Sequence, residues 1–157
     1  MTGLPVENVQ DYPRPPALEP VPQRLRVILG GQIVADTTRG YRVLETHHAP
    51  TYYIPPDDVT GHLTPAQGRS FCEWKGTASY WDVTAGEVTA PRAAWSYANP
   101  TPGFVPITGY LAFYAASMEA CFVGEASVVP QPGDFYGGWT TDNLRGQIKG
   151  APGTRHW

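Results

Sequence analysis

The sequence predicts a mainly β protein, a small antiparallel domain with many turns, and three observations carry that expectation. Glycine and proline account for 17 residues each out of 157, which interrupts helices too often for a helical bundle. Hydrophobic residues reach 41% while charged ones stay at 16%, a globular rather than a disordered balance. Short apolar stretches alternate with period two between turn residues, the pattern of strands and hairpins. Helix is therefore expected far below the one-third of an average globular protein. The 19 aromatic residues suffice for a core without disulfides or a metal.

The elements follow in order. Residues 1–22 contain Pro5, Pro13, Pro15, Pro16, Pro20 and Pro22 without apolar periodicity, which predicts an extended, Pro-rich N-terminal arm. Residues 23–129 carry nearly all the strand signals and form the expected β core. There, Leu25, Val27 and Leu29 alternate with Arg24, Arg26 and Ile28 up to Gly30-Gly31, after which Gln32 to Asp36 follows. Two glycines between such runs suit a two-residue turn with positive φ, so 24–36 reads as a hairpin. Further strands are expected over 41–46, 51–54, 70–74, 77–83, 87–90, 93–97 and 109–114, with a hairpin over 121–129. The spacing of Ile107, Leu111, Tyr114, Met118 and Phe122 would also suit a helix; at most one turn is expected there. Residues 130–157 are again rich in glycine and proline but hold Phe135, Tyr136, Trp139 and Trp157, so this C-terminal tail is expected to pack on the core as part of a single domain.

Charge and targeting signals exclude several partners. Eleven basic residues against fourteen acidic ones leave −3, which argues against nucleic acid as a partner. No stretch approaches the ~18 consecutive apolar residues of a membrane span. The start lacks the basic-then-apolar run of a signal peptide, and Cys72 and Cys121 stand far apart. A cytoplasmic protein with reduced thiols is the expectation.

Six blocks, in order, carry a resemblance. They are Asp11-Tyr-Pro-Arg-Pro-Pro16; Arg26-Val-Ile-Leu-Gly-Gly31 with Ala35-Asp-Thr-Thr38; Val43-Leu-Glu-Thr46 with Tyr52-Tyr-Ile-Pro55; Cys72-Glu-Trp-Lys-Gly76 with Ala78-Ser-Tyr-Trp81; Ala94-Trp-Ser-Tyr97; and Phe135-Tyr-Gly-Gly-Trp139 with Lys149-Gly-Ala-Pro-Gly-Thr154. Along essentially its whole length the chain is similar to the bacterial and fungal family known as domain of unknown function 427. The resemblance implies a small antiparallel β domain, tent-like in shape, with no established activity. A nucleotidyltransferase label is sometimes attached to that family, and the residues give it little support. Phosphate cradles of the G-x-x-x-x-G-K-[ST] type are missing, and Gly30-Gly31 belongs to a hairpin rather than preceding a helix. Asp57-Asp58 are neighbours after two prolines, so they read as a turn rather than a magnesium site. For zinc, paired thiolates at short spacing are required. Cys72 and Cys121 are single and His47-His48 would diverge on a strand, so no metal and no cofactor are expected; buried thiols and surface histidines are the simpler reading.

The region of interest is 71–114, which holds ten of the aromatic residues. Period-two alternation sorts them: Trp81, Leu111 and Phe113 suit the core, whereas Tyr80, Trp95, Tyr97, Tyr110 and Tyr114 fall on other faces with phenols and an indole N–H that need partners. Lys75 stands at a glycine turn beside Trp74, and Glu45 is expected on the same strand face as Tyr41 and Val43. A Lys–Glu pair or a solvated lysine would explain both charges structurally; charges among aromatics are also how binding sites orient ligands. The leading expectation is a cavity for a small planar or anionic molecule, lined by Trp74, Tyr80, Trp95, Tyr97 and Tyr110, with Lys75 and Glu45 as its polar and candidate catalytic groups. Alternatives are a protein-interaction module that docks on another chain or forms a homodimer, and, third, nucleotidyl transfer.

Overall fold

The computed structural model describes residues 4–72, 74–132 and 136–150. Fifteen strands run through them: β1 Glu7–Asn8, β2 Ala17–Val21, β3 Leu25–Leu29, β4 Gln32–Thr37, β5 Gly40–Leu44, β6 Thr51–Tyr53, β7 His62–Cys72, β8 Gly76–Ala85, β9 Val88–Ser96, β10 Ala112–Phe113, β11 Ala120–Val123, β12 Ala126–Ser127, β13 Val129–Pro130, β14 Trp139–Thr140 and β15 Leu144–Arg145. Among the described residues the only helical pieces are four short 3-10 turns. The protein is mainly β, as the glycine and proline content requires.

The strands form several small sheets. Two have four strands, in the orders β12-β11-β3-β4 and β10-β9-β8-β7, and one has three, β2-β5-β6. Pairing within these three is antiparallel. β13 and β14 form an antiparallel pair, and β1 lies parallel to β15. No barrel closes among the described residues. The Gly30-Gly31 turn is as expected, with φ of 60° and 74°, the positive pair a type I′ hairpin turn requires.

Two core clusters sit on opposite faces of the β8–β9 ribbon. One packs Leu25, Val27 and Val34 of the β3–β4 hairpin with Val83, Ala94, Leu111 and Phe113, and Trp81 joins its edge. The other gathers Tyr53, Ala78, Tyr80, Trp95, Tyr97 and Phe104, with Trp74, Tyr110 and Tyr114 partly buried around it. Alternation along β8 thus sends Trp81 and Val83 one way and Ala78 and Tyr80 the other. A half-buried polar seam ties the proline-rich segment to β5. Arg42 makes a two-pronged bond to Glu7 at 3.0 and 2.9 Å and reaches Glu19, while the Tyr12 hydroxyl donates to Glu7.

Several boundaries differ from the sequence reading. Residues 62–69, which Pro65 and Gly68 disguise, belong to β7, and the β7–β8 register shifts between Pro65 and Arg69 to accommodate them. Residues 87–90 and 93–97 are largely one strand, β9, whose irregularity falls opposite Trp81–Val83. Between residues 107 and 122 the chain makes the short strand β10, one 3-10 turn and β11, not a long helix. In the tail, Trp139 is fully buried and its indole N–H donates to the Phe113 carbonyl at 2.9 Å; Phe135 and Trp157 lie outside the described residues.

Candidate functional site

The sharp turn between β7 and β8 places Trp74 and Lys75 together. Gly76 has a φ of 113°, which side-chain-bearing residues rarely adopt. The Thr101 N–H bonds the Lys75 carbonyl at 3.0 Å and its hydroxyl bonds the Trp74 carbonyl, fixing the turn from outside. Just inside lies a cavity of about 450 Å³, within the range of small-molecule sites.

Its walls come from four stretches distant in sequence. Ser70, Phe71 and Cys72 end β7; Tyr80, Trp95 and Tyr97 come from the β8–β9 ribbon and its exit; Val43 lies on β5 and Glu45 and His48 follow it; and Gln131, Tyr136 and Lys149 close the far side. Six of the seven residues singled out from sequence, Glu45, Trp74, Lys75, Tyr80, Trp95 and Tyr97, line this cavity. Tyr110 does not: it precedes β10 and packs edge-on against Tyr41 at 5.9 Å. Tyr114 lines the wall instead, 4.5 Å from the Trp95 ring.

Glu45 lies just past the end of β5 and lines the cavity together with Val43. Its carboxylate pairs with Arg14 at 3.4 Å and stands 3.8 Å from His48 Nε2, so its ionic partner is Arg14 rather than Lys75. The Lys75 ammonium sits 5.8 Å over the Tyr97 ring and that of Lys149 5.4 Å over Tyr136, so each cation faces an aromatic electron cloud. Tyr80 shares a 2.8 Å hydrogen bond with Ser70. Burial raises the hydroxyl pKa of both Tyr97 and Tyr114 well above that of an ordinary phenol, so the phenols remain protonated.

Lys149, His48 and Gln131 were not found from sequence. Gln131, only 2% exposed, joins three stretches. Its Oε1 accepts from the Ala49 N–H at 3.2 Å, and its Nε2 donates to the Lys149 carbonyl at 2.9 Å and toward His48 Nδ1 at 3.2 Å. A donor facing Nδ1 fixes the tautomer, because the imidazole proton must then reside on Nε2, toward Glu45. Burial first, then the positive charges of Lys149, Arg14 and Lys75 and the neighbouring His47, depress His48 to about 4. These outweigh the nearby Glu45 carboxylate, so His48 is a neutral residue half-buried in the wall, where the sequence suggested a surface histidine. Gly137 completes the wall because it must lack a side chain: a Cβ there would overlap the Trp95 indole. The only sequence trace of Lys149 and Gly137 was their place in the Phe135-to-Trp139 and Lys149-to-Thr154 blocks.

The cavity thus offers flat apolar walls, two ammonium groups, one neutral imidazole N–H and one carboxylate. Such a set can hold a planar molecule by its faces and an anionic or carbonyl oxygen at its edge. Both cysteines are free thiols, and the described residues contain no cluster of three or more histidine, cysteine or acidic groups able to hold a metal. Asp57 and Asp58 lie in a 3-10 turn, where Asp58 accepts from Thr37 and Arg39. No helix among the described residues is long and apolar enough to cross a membrane.

Residues 17–124 match a family described as a domain of unknown function (DUF427). Most of the aromatic wall falls inside that span, whereas Gln131, Tyr136 and Lys149 follow it. No curated protein matches the chain.

Proposed function

The chain belongs to that family of unknown function, and from this premise we propose that it binds a small planar molecule bearing an anionic or carbonyl group in the cavity beneath Trp74 and Lys75. The observation that carries the reading is the convergence of Trp74, Trp95, Tyr80 and Tyr97 with Lys75 and Lys149 on one hollow. The aromatic rings supply apolar contact and the ammonium groups fix one polar end. His48 and Glu45 add a hydrogen-bond donor and an acceptor that orient the ligand. Should the ligand be transformed, Lys75 and Glu45 are the groups to carry proton transfer.

The test is native mass spectrometry of freshly purified protein, followed by a binding screen of small carboxylates, phosphates and aromatic metabolites. Lys75→Met keeps the aliphatic stem and the fold, and is expected to weaken every hit tenfold or more. A variant that binds all hits as the wild type does would overturn the reading. Phe71, 75% exposed at the rim, favours the alternative of a docking surface for another chain. In that case sedimentation of the wild type would show a dimer that Phe71→Ser dissociates.

A further inference from the structure

A second cavity of about 580 Å³ adjoins the first, and Ser70, Tyr80, Tyr114 and Gln131 line both. The second adds two cations, because Arg69 and Arg92 line it but not the first; Ala115 to Ser117 and Pro130 complete its wall. Each arginine arrives through a departure from regular pairing. The β7–β8 register shifts between Pro65 and Arg69, and the β8–β9 register shifts between Trp81 and Val83, opposite Arg92. Bulges re-aim side chains, and here two of them, in neighbouring strand pairs, deliver one guanidinium each to the same hollow.

Arg92 has a φ of 47°, an uncommon conformation for a residue with a side chain and one that tends to mark functional positions. Its backbone N–H is held by Asp82 Oδ1 at 2.9 Å, and its guanidinium stacks 4.2 Å over the Tyr80 ring. Stacking engages the face of the guanidinium and leaves its in-plane donors directed outward. Arg69 donates from one terminal nitrogen to Ser79 Oγ. Arg14, Arg24, Arg39 and Arg42 each have a carboxylate within ion-pair distance. Arg69 and Arg92 have none among the described residues.

We infer that this second cavity binds an oxyanion, and that the oxyanion belongs to the same ligand whose flat part occupies the aromatic cavity. The inference rests on the function proposed above and narrows it: the ligand class is a phosphate ester of a planar ring system. Planar guanidinium forks match the tetrahedral oxygens of a phosphate in two-pronged fashion. Tyr80, shared by both hollows and carrying Arg92 on its ring, is the partition across which such a ligand would lie.

Riboflavin 5′-phosphate, riboflavin and inorganic phosphate are suitable probes for the full chain and its Arg69→Gln/Arg92→Gln variant. Ring binding is read by quenching of flavin fluorescence, and phosphate binding by the side-chain Nε–H signals of the two arginines in NMR spectra. The wild type is expected to bind the phosphate ester at least tenfold more tightly than riboflavin. In the variant the ester should bind no more tightly than riboflavin. Inorganic phosphate should shift both arginine signals saturably and erase the advantage of the ester. Equal wild-type affinity for the two flavins would overturn this inference while leaving the aromatic cavity standing. If neither flavin binds but phosphate shifts the arginines, the aromatic reading fails and the shared ligand with it. Absence of any phosphate response would refute the anion site itself.

Discussion

His48 should make the protein lose stability over a defined acid range. In the folded chain its pKa is about 4 against an ordinary 6.5, because burial and the surrounding cations disfavour the charged ring. Protonation would also set an Nδ1–H against the Gln131 Nε2–H that now points at it. The unfolded chain takes up that proton below about pH 6.5, while the folded chain refuses it until about pH 4. The contribution of a neutral His48 is therefore complete above 6.5, declines as the pH falls, and is exhausted near 4. Each pH unit within the window is worth about 1.4 kcal/mol, so pH 5 should leave the protein about 2 kcal/mol less stable than pH 7.5. Glu7, Asp36 and Asp58, whose pKa values are lowered from ordinary carboxylate values, lose their contributions at still lower pH and do not obscure this range. Urea denaturation at the two pH values measures the difference, and His48→Gln should remove most of it. An imidazole that titrates near 6.5 by NMR, or a slope that persists in His48→Gln, would refute the reasoning.

Other expectations follow from single contacts. Arg42→Met leaves the Glu7 and Glu19 carboxylates without their cation in a half-buried seam and should cost about 2–3 kcal/mol in urea denaturation; a loss under ~0.5 kcal/mol would mean that water already screens the seam. Trp139→Ala empties a fully buried site and orphans the Phe113 carbonyl, for an expected loss of about 3–5 kcal/mol; an unchanged melting temperature would contradict its packing. Under native conditions a thiol reagent should modify Cys72 and spare Cys121, which is 3% exposed and pushed up to about 12 by burial. Two fast-reacting thiols would contradict that.

Period-two alternation made the aromatic sorting legible, since it depends only on neighbours along a strand. Trp81, Leu111 and Phe113 went to one core, and Tyr80, Trp95 and Tyr97 to the other. Tyr110 went with Tyr114 to that second core as alternation implied, yet it packs on Tyr41 away from the cavity. Which part of a face borders a hollow depends on remote stretches rather than on the pleat. The first half of β7 stayed hidden because Pro65 and Gly68 are turn residues by composition, and only the partner strand shows that a bulge absorbs them. His48, Gln131 and Lys149 were illegible for another reason. Their relation is a hydrogen-bonded junction between remote stretches, and no local pattern encodes a meeting of that kind.

The parallel pairing of β1 with β15, reinforced by the Asn143 side chain on the Pro5 carbonyl at 2.9 Å, sets an order of assembly. Contacts this remote along the chain repay their closure entropy only after the intervening structure exists. The β7–β8–β9 meander, built from adjacent strands, is free to condense early with its tryptophans already sheltered. Lys149 follows β15, and its backbone is held by the His47 carbonyl and the Gln131 side chain. A refolding chain should therefore recover tryptophan burial before full ligand affinity, because Lys75 arrives with the β7–β8 turn whereas Lys149 is placed only with the C-terminal segment.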